Sequence, residues 1–219
     1  MNRQRGLILD LDGTLYKLSG SDGSFGNSDF YADLKRRMQS YLGDVLGISS
    51  QAAKTEYDRI KSSFNGEVSI GVERELGISR LEWFANTWNL NPKDYIEKPT
   101  SELVETIKPV ADRSMVLTAA PAVWAYPALS YLGLDGMFED RIVTGEPDIR
   151  KPSLDVFRQA ADLLQRSCCE VVSIGDQDES DILPAKALGM VTIKVGLPSD
   201  SADYSMNNTC EAVNLAASL

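Results

Sequence analysis

Gly6-Leu7-Ile8-Leu9-Asp10-Leu11-Asp12-Gly13-Thr14-Leu15-Tyr16 is the stretch from which the rest of the chain can be read. Leu7, Ile8 and Leu9 form a short apolar run, as in a strand buried on both faces of a parallel sheet. Asp10 and Asp12 follow at once, and Gly13 breaks the strand. Residues two apart on an extended chain project to the same side, so both carboxylates can address one point at the strand's end. Such a pair repels itself unless a cation sits between, and hard oxygen ligands favour Mg2+. An acidic turn closing a surface strand would look the same over these residues alone, so the downstream sequence decides between the two.

The chain has 219 residues, enough to bury one sizeable core, or one core plus a small appended domain. Hydrophobic residues at 43% and charged residues at 25% describe a soluble globular protein. The net charge of −10 argues against a nucleic-acid polymer or an anionic membrane as partner over any broad face. There are no histidines, so acid/base work near neutral pH falls to carboxylates. Cys168, Cys169 and Cys210 lack zinc or redox-pair spacing and read as small core residues. Met1 to Arg5 leads into the first strand without an apolar signal region, and no run approaches a membrane span. The expectation is a cytoplasmic protein.

Past Tyr16, a Gly/Ser-rich stretch from Lys17 to Asn27 reads as a hinge or loop. Helical periodicity follows: Phe30, Leu34, Met38, Tyr41, Leu42 and Val45 share one face, and Ala53, Tyr57, Ile60 and Phe64 another. Ser79 with Glu82 has capping-box spacing before Leu81, Phe84 and Trp88, and Asn91 to Thr100 reads as a return linker. Residues 17–100 are therefore expected to form a helical cap, and residues 1–16 with 101–219 the core. From Ser101 the pattern alternates. Strands are expected at Met115–Leu117, Arg141–Thr144, Glu170–Ile174 and, last, Val191–Val195. Helices are expected at Val123–Leu132 despite Pro127, at Ser153–Leu164 and at Ile182–Leu188. That alternation implies βαβ units, hence an α/β fold with a Rossmann-like parallel sheet. Ligands of such sheets lie beyond the carboxyl ends of the strands, where each suspicious residue falls.

Asp10-Leu-Asp-Gly-Thr-Leu15 resembles the first motif of the haloacid dehalogenase superfamily of phosphohydrolases, and three further motifs follow in order. Thr118, ending the second strand, matches the phosphate-binding Ser/Thr of the second motif. A hydroxyl with following backbone N–H groups suits an anion. The family usually places Asn next, where this chain has Ala119, which keeps the N–H and loses the side-chain amide. Lys151-Pro152 matches the third motif, and a lysine there can hold phosphate or neutralise crowded carboxylates. Gly175-Asp176 followed by Asp181 and then Leu188-Gly189-Met190 resembles the fourth. Asp178 and Glu179 read as solvent-facing loop charges.

The resemblance implies a phosphomonoester hydrolase working through an aspartyl-phosphate. Asp10 would be the nucleophile and Asp12 the general acid/base. Mg2+ would be held by Asp10, Asp176 and the Asp12 carbonyl, with Asp181 in contact with metal-bound water or the lysine. Thr118, Ala119 and Lys151 would hold the phosphoryl oxygens, and the substrate would be a small phosphorylated metabolite. Asp-Leu-Asp-Gly-Thr-Leu-Tyr16, Tyr131-Leu-Gly-Leu134 and Lys151-Pro152 with Phe157 are similar to the pyrimidine 5'-nucleotidase-like branch, which often has Asn at the position of Gly13. Sugar-phosphate mutases on this scaffold typically carry Val where Thr14 stands, and dehalogenases usually lack the second Asp. A phosphoglycolate-type phosphatase, or a catalytically silent phosphate-binding regulatory protein, is a further alternative.

The expected cap carries Tyr31, Tyr41, Tyr57, Trp83, Phe84 and Trp88 together with Lys35, Arg36, Arg37, Arg59 and Lys61. Helical spacing accounts for most of these rings as packing, and for the basic run as a solvated face. Alternatively, one or two rings face the cleft and stack on a planar base.

Overall fold

In the computed structural model, which describes residues 4–20 and 25–219, the apolar run after Arg5 is strand β1 (Gly6–Leu9), buried along its whole length. Residues 1–3 of the expected lead-in and 21–24 of the Gly/Ser stretch lie outside the described residues. β1 is flanked in parallel by β2 (Ser114–Leu117) and β4 (Val171–Gly175). Beyond β2 lies β3 (Ile142–Val143), and beyond β4 lie β5 (Val191–Val195) and β6 (Tyr204–Met206). The order β3-β2-β1-β4-β5-β6 is all parallel, so the direction of winding reverses between β1 and β4. A crevice opens at that reversal, beyond the strands' carboxyl ends.

Side-chain alternation along the strands explains the layers. Leu7 and Leu9 point to one face, where Val116, Val172, Ile174 and Ile193 join them under α5 (Ser101–Ile107), α6 (Ala122–Tyr131) and α9 (Thr209–Ser218). Ile8 points to the other, with Met115, Leu117 and Val171 under α7 (Leu154–Leu163) and α8 (Leu183–Ala187). α7 shows why the sequence folds this way. Ser153 caps it by accepting from the Asp155 N–H, and Val156, Phe157, Ala160 and Ala161 make its buried face.

Four helices lie in the chain between β1 and β2: α1 (Asp29–Leu46), α2 (Ser50–Ser63), α3 (Val68–Leu76) and α4 (Arg80–Thr87). Ser28, Ser49 and Ser79 cap α1, α2 and α4 with their hydroxyls. Glu82 does not complete a box with Ser79; its carboxylate takes the Tyr41 hydroxyl at 2.9 Å. The outgoing and returning chains run antiparallel side by side, with Ser19 N–H donating to Tyr95 O at 2.7 Å and Leu18 bridging Ile96. α1–α4 rest on the sheet layer at named points. Phe30 packs on Trp124 of α6 with ring centroids 4.3 Å apart. Arg80 is buried and donates to Gly145 O at 2.6 Å and to Glu146 O, and Arg150 pairs with Glu67.

Elements that the sequence reading did not foresee are α3, α5, β6 and α9. The expected strand 141–144 shortens to two residues at the sheet edge. The helix expected from Ile182 is preceded by a wide π-turn over Asp178–Ile182 before α8 begins.

Candidate active site

Asp10 stands immediately after β1, held by its own N–H donating to Ile174 O of β4 at 2.9 Å. Lys151, from the loop between β3 and α7, puts its Nζ 2.7 Å from Asp10 Oδ1 and 2.6 Å from Asp181 Oδ1. The lysine side chain is 2% exposed. Asp181 sits inside the π-turn after β4, where its Oδ2 accepts the Gln177 N–H at 3.0 Å and its Oδ1 the Ser180 hydroxyl at 3.1 Å. Asp176 follows β4 directly. Carboxylate oxygens of Asp10, Asp176 and Asp181 lie within 4.8 Å of one another.

Two glycines permit this crowding. Gly13 has a φ of 86°, and a Cβ there would lie 2.3 Å from Asp176 Oδ2; a Cβ on Gly175 would lie 2.3 Å from Asp181 Cβ. Three carboxylates thus crowd around Lys151, with Lys194 also acting on Asp176. Burial pushes Asp10 well above the ordinary carboxylate range against the pull of Lys151, and burial with the neighbouring Asp181 pushes Asp176 up to about 7. Lys151, though buried, is held charged by Asp10 and Asp181. Asp10 Oδ2 and Asp176 Oδ1 are buried and without a hydrogen-bond partner among the described residues. Orphaned hard oxygens in a cluster with excess negative charge fit a small divalent cation.

Asp12 is held apart from that cluster. The chain turns tightly after it, with Leu15 N–H donating to Leu11 O at 2.9 Å, and the turn brings Tyr16 back beneath it. Asp12 Oδ1 accepts from the Tyr16 hydroxyl and from Trp124 Nε1 at 3.0 Å, while Oδ2 accepts the Thr118 hydroxyl at 3.3 Å. Burial raises the Asp12 carboxyl above its usual range, and these three donors hold it back. Thr118 is itself buried at the end of β2, and its Oγ1 accepts the Ala120 N–H at 3.0 Å. Ala119, between them, is exposed.

Asp10, Lys151, Asp176 and Asp181 are therefore brought together, and Asp12 with Thr118 forms a second group beside them. Asp178 is not a free loop charge: it accepts the Ser199 hydroxyl at 2.8 Å and lies 3.9 Å from Lys194 Nζ, which also donates to Asp176 O. Glu179 is exposed. Tyr16, Trp124 and Lys194 carry no role in the sequence reading. Tyr16 lies within the opening stretch, four residues after Asp12, and was the most accessible of the three to such a reading.

The family model of the haloacid dehalogenase-like hydrolases matches residues 4–189. The chain belongs to that family. This hydrolase is 25% identical over 234 aligned positions to the glyceraldehyde 3-phosphate phosphatase of Methanocaldococcus jannaschii, covering 98% of each chain. Among solved structures it resembles a phosphatase of the same superfamily from Thermococcus onnurineus, with a TM-score of 0.66 at 18% identity over 97% of each chain. It also resembles a 2-haloacid dehalogenase from Pseudomonas syringae pv. Tomato, with a TM-score of 0.65 at 18% identity over 99% of each chain. At such identities the structural likenesses speak for the fold.

The rings of α1–α4 are engaged in this hydrolase. Trp83, Tyr57 and Phe84 are buried; Tyr41 packs on Trp83, Trp88 on both Phe84 and Phe30, and Tyr31 on Phe25. Lys61 donates to Tyr31 at 2.8 Å, Lys35 lies 3.8 Å from Asp58, Arg36 pairs with Asp33, and Arg59 with Glu56 and Glu75. Arg37 donates to Asn89 O at 2.8 Å. Packing accounts for the rings and ion pairs for Lys35, Arg36 and Arg59, while Lys61 and Arg37 donate to a hydroxyl and a carbonyl.

Proposed function

We propose that the protein is a metal-dependent phosphatase of small phosphorylated metabolites, with Asp10 as nucleophile and Asp12 as general acid/base. The observation that carries this reading is the division of labour between the two carboxyls. Asp10 keeps one oxygen on Lys151 and one without a partner among the described residues, while Asp12 is held separately by neutral donors. Asp10, Asp176 and the Asp12 carbonyl would hold Mg2+, whose charge offsets that of the phosphoryl oxygens. The Asp10 oxygen forms a bond to phosphorus as the bond from phosphorus to the leaving oxygen breaks, and Asp12 gives that oxygen its proton. In the second step Asp12 takes a proton from the attacking water, the acyl-phosphate bond to Asp10 breaks, and inorganic phosphate leaves. Lys151, the Thr118 hydroxyl and the Ala119 N–H hold the non-bridging oxygens. Asp181 keeps Lys151 in place between steps.

α1–α4 act as a cap that excludes bulk water and selects the leaving group. The engaged rings favour a compact phosphate over a pyrimidine nucleotide, and the name of the M. jannaschii relative favours a triose phosphate. Phosphate release, compared as kcat/KM across glyceraldehyde 3-phosphate, phosphoglycolate, hexose phosphates and nucleoside monophosphates, should be fastest on the first. Faster release from nucleoside monophosphates would overturn the substrate reading and leave the phosphatase reading standing. Trapping with radiolabelled substrate should put phosphate on Asp10 and not on Asp10→Asn; label on another residue would overturn the mechanism.

A further inference from the structure

We infer that Tyr16 and Trp124 are positioning residues that fix which oxygen of Asp12 faces the leaving group; the inference rests on the acid/base role proposed for Asp12. The indole and the phenol are both buried, at 0% and 6% exposure, and pack edge to face with centroids 6.5 Å apart. Buried indole N–H and phenol O–H groups need partners. Trp124 Nε1 lies 3.0 Å from Asp12 Oδ1 and 2.8 Å from the Tyr16 oxygen, and the Tyr16 hydroxyl donates to that same Oδ1. Two donors therefore converge on one oxygen of a carboxyl that has to exchange a proton with substrate. Among the described residues, Oδ2 has only the longer contact, 3.3 Å, from Thr118. With Oδ1 occupied on both sides, Oδ2 is the oxygen that gives its proton to the leaving group and takes one from water.

The donors come from different parts of the chain. Tyr16 arrives through the turn closed by Leu15 N–H on Leu11 O, and Trp124 from α6, the helix after β2. Phe30 of α1 lies against the indole with centroids 4.3 Å apart. The helices between β1 and β2 therefore reach Asp12 through one aromatic contact. Seating α1 orients Trp124, and Trp124 orients the carboxyl.

The alternative is that the two rings are core residues whose polar tips happen to be satisfied by the nearest carboxylate. The two readings separate by leaving group. Tyr16→Phe and Trp124→Phe each remove one donor and keep the ring. They should lower kcat/KM on an alkyl phosphate such as glycerol 3-phosphate about tenfold, a fraction of the whole acid/base contribution. kcat/KM reports the transfer to Asp10 and not the hydrolysis common to all substrates, so on p-nitrophenyl phosphate, whose leaving group needs little protonation, it should fall less than about threefold. Phe30→Leu keeps both donors and should show the same leaving-group signature at smaller amplitude. Its folding, followed by near-UV circular dichroism, keeps the test alive should a donor variant not fold. Equal losses on both substrates, or changes confined to KM, would overturn the inference. Asp12→Asn is the reference. If it discriminates between the leaving groups and the donor variants do not, the positioning role alone is wrong. If Asp12→Asn itself fails to discriminate, the acid/base reading falls, and the positioning role with it.

Discussion

Replacing Lys151 with Met puts the electrostatics of the cluster to a direct test. The ammonium lies 2.7 Å from Asp10 Oδ1 and 2.6 Å from Asp181 Oδ1, with its side chain 2% exposed. Met fills most of the same volume, so the change is close to a pure loss of charge. Removing one partner of a buried pair typically costs about 3–5 kcal/mol, because the other charge remains buried and uncompensated. Here two carboxylates would remain, beside a third in Asp176. They can relieve the repulsion by binding protons. Asp10 and Asp176 already bind protons more tightly folded than unfolded, Asp176 with a value of about 7 against 3.8. Such groups make stability fall as pH rises between the unfolded and folded values. The deficit of Lys151→Met should therefore be small near pH 4 and complete above pH 7. Denaturant titration in excess chelator at pH 5 and pH 8 measures it. At pH 8 a loss of about 3–5 kcal/mol is expected, or about 10 °C in Tm for a chain of this size. Mg2+ should recover part of that loss. A variant within about 1 kcal/mol of the parent at pH 8 in chelator would refute the reasoning.

Other consequences of the geometry can be checked as directly. Chelation should abolish phosphate release and Mg2+ should restore it. Because Asp176 must give up its proton to bind a cation, Mg2+ affinity measured by calorimetry should weaken as pH falls below about 7, with proton release on binding near pH 6. Gly13→Ala forces a φ of 86° on a residue with a Cβ and drives that Cβ to 2.3 Å from Asp176 Oδ2. It should cost about 1–3 kcal/mol in thermal unfolding and lower metal affinity with it. Arg80→Ala leaves the buried Gly145 carbonyl and the half-buried Glu146 carbonyl without their guanidinium donor, at about 1–3 kcal/mol for the buried one. Its Tm should drop while the Asp10 phospho-enzyme still forms.

Much of the fold is legible because its signals are local. Leu7-Ile-Leu9 and Val171-Val-Ser-Ile174 are buried on both sides, and a run that is wholly apolar, or broken by one serine, can be read without knowing what covers it. Val156, Phe157, Ala160 and Ala161 repeat at helical spacing because one neighbouring sheet face supplies their whole environment. α3 fails that test. It is nine residues long, and its buried set of Val68, Gly71 and Val72 is too small to make a stripe. β6 and α9 follow an exposed, Ser- and Asp-rich loop, and the three-residue β6 holds by pairing with β5 rather than by composition. The π-turn over Asp178–Ile182 has no sequence signature of its own, because Asp181 is drawn inward by Lys151 and the Gln177 N–H, both supplied by the fold.

The candidate site divides along the same line. Asp10 and Asp176 sit directly after β1 and β4, Asp181 in the turn that follows β4, and Lys151 in the loop before α7, so the order of elements brings them to one end of the sheet. Their supports come from far along the chain and carry no pattern. Trp124 reaches Asp12 across 112 positions, Thr209 reaches Thr14 O across 195, and Arg80 reaches Gly145 O across 65. Each is a polar side chain that folding buries and therefore must satisfy, and the groups at hand are those of the site loops. The dependence runs both ways. A loop that closes on Asp10 and Asp12 without these partners would leave its own carbonyls and carboxyls unpaired. The site geometry and the seating of α1–α4 are thus one structural problem, and a substitution at Phe30 or Arg80 acts on it without touching substrate.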